Sequence, residues 1–101
     1  MSGPVALPPA MTLATAVDLA QIMTARAEQI GRGYTEQADD LIAPEVLASK
    51  AIAMASGGRD LMHEGDRQNL EVAYARCARS AALLLATMGR IRRMQSGRDE
   101  G

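Results

Sequence analysis

Apolar residues recur at helical spacing in three stretches of the chain, and no stretch alternates with the two-residue period of a strand. Ala16, Leu19, Met23, Ala27 and Ile30 form the first stripe, which predicts a helix from Thr15 to Gly31. Thr15 followed three residues on by Asp18 is an N-terminal capping pattern with the shorter acid, and Gly31 and Gly33 supply a stop. Pro44 at a first helical position, with Glu45 beside the positive helix end, opens a second helix. Leu47, Ala51 and Met54 mark its buried side, and Gly57 with Gly58 marks its predicted end. A polar connector from Arg59 to Gly65, with room for one helical turn, follows. The third predicted helix, from Asp66 to Met94, is the longest. Leu70, Tyr74, Cys77, Ala81, Leu84, Met88 and Ile91 step by fours and threes, which is a heptad seam. Ala78, Ala82 and Leu85 widen it, so this helix can pack on two surfaces, one toward the other helices and one toward a second copy. The pattern predicts an all-α fold: a small domain of three helices over residues 11–95 with a long C-terminal helix. A Pro-rich arm (1–10, with Pro4, Pro8 and Pro9) precedes it and a flexible tail (96–101) ends it.

Composition changes this picture mainly by exclusion. With 101 residues and 48% hydrophobic content the chain can build one modest core, which argues against disorder. Cys77 is the sole cysteine and His63 the sole histidine, so neither an internal disulfide nor a structural zinc site is available. Cys77, on the seam, reads as a small core residue, and His63 as a surface or capping residue. Tyr34 and Tyr74 are the only aromatic residues, too few for a protein that reads nucleic acid by base stacking. No apolar run approaches the roughly 20 residues of a membrane span, and no Lys/Arg-led secretory signal is seen. The expectation is a cytoplasmic protein away from membranes, and Ala and Met in place of larger core residues favour a homo-oligomer.

The formal net charge of −1 conceals a segregation. From Val72 to Arg98 there are arginines at 76, 79, 90, 92, 93 and 98 and no acid. Arg90, Arg92 and Arg93 near a helix C-terminus suit the helix dipole, which is the plain structural explanation. The functional alternative is a phosphate-binding or acidic-partner surface. Arg76 and Arg79, three apart on one face, can hold a single phosphate or carboxylate between them. Tyr34, in a glycine-rich turn, can pack over a core edge or stack on a ligand. Together Tyr34, Arg76, Arg79, Arg90 and Arg93 are the candidate ligand-binding residues.

The acids gather elsewhere. Glu36, Asp39 and Asp40 lie in the connector between the first two helices, with Glu45 close behind, and can collect oxygen ligands for Mg²⁺. Metal-assisted hydrolysis of a phosphate chain needs carboxylates converging from neighbouring helices, and paired acids three or four apart on facing helices are missing. A solvated turn with capping acids is the structural alternative.

The stretch from Gln29 to Asp40, reading QIGRGYTEQADD, resembles the segment Q-I-x-x-G-W/Y-T-P-E-H-D-D of a family of small helical proteins widespread in tailed phages and prophages. The resemblance continues through Leu47, Ala48 and Ala51 to Ala55, like that family's Ala-rich second helix. It extends to Arg79 through Ala86 and Arg90 through Arg93, similar to its closing K-A-G-A-L-I-x-A-E-I-E-R-L-D-R helix. Departures include several acids and a histidine. Gln37 and Ala38 replace the motif's Glu and His, Val46 stands for a Glu, and Thr87 and Gly89 replace two more, while Asp39 and Asp40 are retained. The resemblance implies a phage- or prophage-type accessory protein of the host-cell cytoplasm. With so many acids replaced, the leading expectation is binding without catalysis, of a nucleotide that is sequestered or of a host defence protein that is inhibited. The alternative is a Mg²⁺-dependent nucleotide pyrophosphohydrolase with Glu36, Asp39, Asp40 and Glu45 as ligands. A purely structural helical oligomer is the third reading.

Overall fold

The computed structural model describes residues 12–100, without the side chains of Glu64 and residues 98–100; the Pro-rich arm lies outside the described residues. The described chain is all-α. It comprises α1 (Leu13–Gly31), a four-residue α2 (Glu36–Asp39), α3 (Pro44–Glu64) and α4 (Arg67–Glu100).

Each helix starts where a side chain or a proline removes an orphan donor. Thr12, and not Thr15, caps α1: its hydroxyl accepts the Thr15 amide at 3.3 Å, so the helix begins two residues before the predicted start. Thr35 caps α2 by accepting the Ala38 amide, which converts part of the predicted connector into a helical turn. Pro44 occupies the first turn of α3 as expected. Asp66 Oδ1 accepts the Asn69 amide at 2.9 Å at the head of α4.

The predicted end of the second helix is overturned. Gly57 and Gly58 lie inside α3, which runs on to Glu64 and stops at Gly65 in the left-handed region (φ 75°). The glycines are there for contact: a Cβ on Gly58 would stand 3.4 Å from the Ala73 carbonyl oxygen and the Arg76 Cβ. Close approach of α4 offsets the roughly 1 kcal/mol that glycine costs in a helix interior. The predicted connector from Arg59 to Gly65 is therefore mostly helix, and α3 and α4 form an antiparallel hairpin turning at Gly65 and Asp66. At the other end, α4 passes the predicted stop at Met94 and the predicted tail boundary at 95, since no proline or cap interrupts it before Glu100.

Helix packing uses smaller and more polar faces than the stripes suggested. Among the described residues the buried apolar ones are Ala25, Leu47, Ala51, Ala73, Ala82 and Ala86, with Leu47 the one large side chain in that set. Alanine on both sides lets α3 and α4 approach closely, and buried Ser80 donates to the Ala51 carbonyl at 2.7 Å across the contact. Leu47 and Ala51 are buried as expected, and Met54 is half-buried. The α4 seam is not the core: Cys77 is exposed, and so are Leu70, Tyr74, Leu84, Met88 and Ile91. The face that meets α3 carries Ala73, Ser80 and Thr87 instead. Likewise α1 exposes Leu19, Met23 and Ile30 and turns Ala25 and Gln29 inward. Directional bonds fix that rotation. Gln29 Nε2 donates to the Arg79 carbonyl (3.1 Å), Tyr74 donates its hydroxyl proton to Asp18 (2.6 Å), and Arg26 pairs with Asp39.

Candidate functional site

Helix α1 packs on α4 and leaves a gap to α3. The gap is a solvent-open groove of about 460 Å³ with α4 as its floor and α1 and α3 as its walls. Arg76, Arg79 and Leu83 form the floor, and Lys50, Ala53 and Met54 line the α3 wall. Glu28, Gln29 and Arg32 come from the end of α1, and Tyr34 from the turn after it.

The sequence places Tyr34 through backbone geometry. Gly33 takes φ 101°, which ends α1 in a Schellman turn: the Gly33 amide donates to the Ile30 carbonyl and the Tyr34 amide to the Gln29 carbonyl, both at 3.0 Å. Arg26 Nη1 then donates to the Tyr34 carbonyl at 3.2 Å, tying the turn back to α1. The Lys50 ammonium sits 5.9 Å from the Tyr34 ring centroid, within range of a cation–π contact.

The groove is strongly cationic. Arg32, Lys50, Arg76 and Arg79 line it against the single carboxylate of Glu28. Among the described residues none of these four cations has a carboxylate within 4 Å, whereas Arg26, Arg59, Arg67 and Arg93 all do. Half-buried Arg76 makes only a long contact from Nη1 to the Met54 sulfur (3.7 Å). Arg79 gives up its carbonyl to Gln29 while its side chain stays exposed. Two guanidiniums three residues apart, with a lysine opposite and a ring at one end, fit a phosphate or carboxylate attached to a planar group.

Of the five candidate ligand-binding residues, Tyr34, Arg76 and Arg79 are brought together here. Arg90 and Arg93 are elsewhere. Arg90 Nε donates to the Ile42 carbonyl (3.4 Å), and Arg93 holds Asp40 at 2.8 Å and Glu36 at 3.7 Å. Asp39 is buried (1% exposed) with Oδ2 3.1 Å from Arg26 Nη2. Three of the four candidate metal ligands are thus engaged by arginines, which pin α2 to α1 and α4; Glu45 is exposed in the first turn of α3. Among the described residues no three His, Cys, Asp or Glu side chains converge as a metal-holding group. His63 lies exposed in the last turn of α3, and among the described residues no helix is long and apolar enough to cross a membrane.

Sequence reasoning missed Arg32, Lys50, Glu28 and Gln29. Lys50 carried a signal, being the only lysine of the chain and set in an apolar helix. Arg32 stood between the two glycines already singled out. Nothing linear announced that α1 and α3 leave a gap.

In comparisons with known proteins no family model matches this chain, and neither a curated protein nor a solved structure matches it. The geometry therefore carries the functional reading. Within the stretch from Gln29 to Asp40, Gln29, Gly33, Thr35 and Asp39 all hold the turn or α2 in place, and Tyr34 faces the groove.

Proposed function

We propose that this protein binds a nucleotide-type ligand in the groove between α1 and α3 and does not convert it. Phosphate is held by Arg76 and Arg79 with Lys50 and Arg32 alongside, and the base lies toward Tyr34. The observation that carries this reading is the concentration of four cations without carboxylate partners in one groove of a chain whose net charge is −1. Glu28 is the only carboxylate of the lining, which holds no histidine or cysteine, and among the described residues no hydrogen bond or ion pair joins Glu28 to Lys50 or Tyr34, which supports binding without conversion. Its size suits a small molecule. The resemblance of residues 29–40 to the phage and prophage family supports placing this binding in an accessory role, sequestering a nucleotide in a host cell.

Thermal-shift measurements against linear and cyclic nucleotides, with and without Mg²⁺, test the proposal. A ligand at about 100 times its Kd adds about 2.7 kcal/mol, which raises the Tm of a domain this size by roughly 10 °C or more. Arg76→Ala and Arg79→Ala should each weaken binding at least tenfold, and the recovered ligand should be unchanged. A flat response to every nucleotide, or wild-type affinity in both variants, refutes the assignment; turnover of the bound nucleotide refutes the non-catalytic part.

A further inference from the structure

Among the described residues the apolar seam of α4 lies largely open. Leu70, Tyr74 and Leu84 are each 46% exposed, Met88 is 64% and Ile91 is 44%, and Cys77 is exposed among them. At about 100° per residue these positions form a stripe centred about 170° from Arg79 and about 110–130° from Arg76 and Leu83, the residues that floor the groove. On one flank Ala73, Ser80 and Thr87 are buried, with Gly58 of α3 packed against Ala73. On the other, Ala78 faces Ile22 of α1. Asp18 of α1 accepts the Tyr74 hydroxyl at the edge of the seam, and among the described residues no helix covers the quadrant between the flanks.

We infer that this face is covered by the same face of a second copy, with the two α4 helices antiparallel. The charges select that occupant and that direction. None of the seven seam positions is charged, and the residues just outside them on the α1 side are Glu71, Ala78, Leu85 and Arg92. An antiparallel pair with its two-fold axis near the level of Ala82 sets each Glu71 beside the second copy's Arg92, giving two opposite-charge pairs. A parallel pair sets Glu71 on Glu71 and Arg92 on Arg92. Arg92 has no carboxylate partner among the described residues, and Glu71 has only the exposed Arg67 at 3.7 Å.

Side-chain sizes agree with the same register. It places Ala81 against the second copy's Leu84, Cys77 against its Met88 and Tyr74 against its Ile91. A small side chain meets a large one in two of these three layers, as interdigitation requires. The exposed portions of the seam amount to on the order of 1,000 Å² over two copies, at the threshold for a specific interface. A core with one large buried side chain is the structural reason a second copy is needed.

The test uses the full chain. Sedimentation or light scattering should give a dimer for the wild type and a monomer for Leu84→Asp, whose helical circular dichroism persists because Leu84 is already half exposed. Glu71→Arg alone and Arg92→Glu alone should each weaken dimerisation several-fold, and the two together should restore it, a result that does not depend on folding of the aspartate variant. Under mild oxidation Met88→Cys should cross-link to the second copy's Cys77, and the wild type should not cross-link. Monomeric mass for the wild type, an undiminished dimer in Leu84→Asp, no rescue by the double charge swap, or wild-type cross-linking through Cys77 would each overturn the inference. Because the seam faces away from the groove, Leu84→Asp should keep its nucleotide response, so this inference and the binding proposal fail separately.

Discussion

Replacing Asp39 by asparagine removes one charge from the most buried ion pair among the described residues and leaves the volume almost unchanged. Asp39 and Arg26 have side-chain exposures of 2% and 12%, and their nearest atoms are 3.1 Å apart. Removing one partner of a buried pair costs about 3–5 kcal/mol, because the remaining charge stays desolvated. Arg26 keeps two other acceptors, the Tyr34 carbonyl at 3.2 Å and Gln29 Oε1 at 3.5 Å, which favours the lower end, about 3 kcal/mol. A domain of this length has about 5–15 kcal/mol in total, and each kcal/mol moves Tm by about 4–8 °C. Asp39→Asn should therefore lower Tm by about 12–24 °C.

Urea unfolding of the wild type, Asp39→Asn, Arg26→Met and the double variant measures the coupling directly. The cycle should give at least about 1.5 kcal/mol, since the second substitution removes a charge that the first has already stranded. Additive effects within about 0.5 kcal/mol would refute the ion-pair account. The same series separates it from metal ligation. On the ion-pair account the full cost of Asp39→Asn persists in chelator, and Mg²⁺ leaves the wild-type Tm unchanged. A wild-type Tm that rises with Mg²⁺, with Asp39→Asn costing little in chelator, would instead make Asp39 a metal ligand.

Two further outcomes follow from single contacts. A Cβ on Gly57 would stand 2.8 Å from Arg76 Nη1, the movable end of a long side chain. Gly57→Ala should therefore raise stability by about 0.5–1 kcal/mol through helix propensity while displacing the guanidinium and weakening nucleotide binding; a lower Tm or unchanged affinity would contradict this. Tyr74 has its phenol pKa raised above 10.0, first by the hydrogen bond it donates to Asp18 and then by burial and the aspartate charge. The stabilisation linked to that shift is complete below the ordinary tyrosine pKa and is lost as pH rises through the raised value. In a Tyr34→Phe background Asp18→Asn should return the phenolate absorbance midpoint toward 10, and an unmoved midpoint would remove Asp18 as the cause.

Helix class, the three long helices and the starts near Pro44 and Asp66 were legible because caps and prolines act locally; the four-residue α2, read as connector, was not. Which face of each helix turns inward was not. Periodicity ranks faces by apolar content, and on α4 the most apolar face, from Leu70 to Ile91, loses to the one bearing Ala73, Ser80 and Thr87. Small residues win there because closer helix approach gains contact along the whole backbone, and Ser80 adds a hydrogen bond that no leucine could make. Gly57 and Gly58 misled for a related reason. A glycine pair reads as a stop in one dimension, whereas here it marks the place where a second helix comes close. Tyr34, Arg76 and Arg79 were found by their chemistry, but Lys50 and Arg32 join them only through the gap between α1 and α3.

Charge segregation along the sequence takes on a different meaning once the chain is folded. The acids of α2 do not face the groove. Asp39 is held by Arg26, and Asp40 and Glu36 by Arg93, so these three carboxylates are engaged by arginines that do not line the groove. Arg26 links that arrangement to the site, since the guanidinium that binds Asp39 through Nη2 also fixes the Tyr34 carbonyl through Nη1. The α2 acids thus serve the groove indirectly, by staying out of it and by anchoring the turn that presents its one aromatic ring. If so, Asp39→Asn in chelator should weaken nucleotide binding by loosening Tyr34, and a Tyr34→Ala background should erase most of that loss. An equal loss in both backgrounds would mean that Asp39 acts on the groove by some route other than the Tyr34 turn.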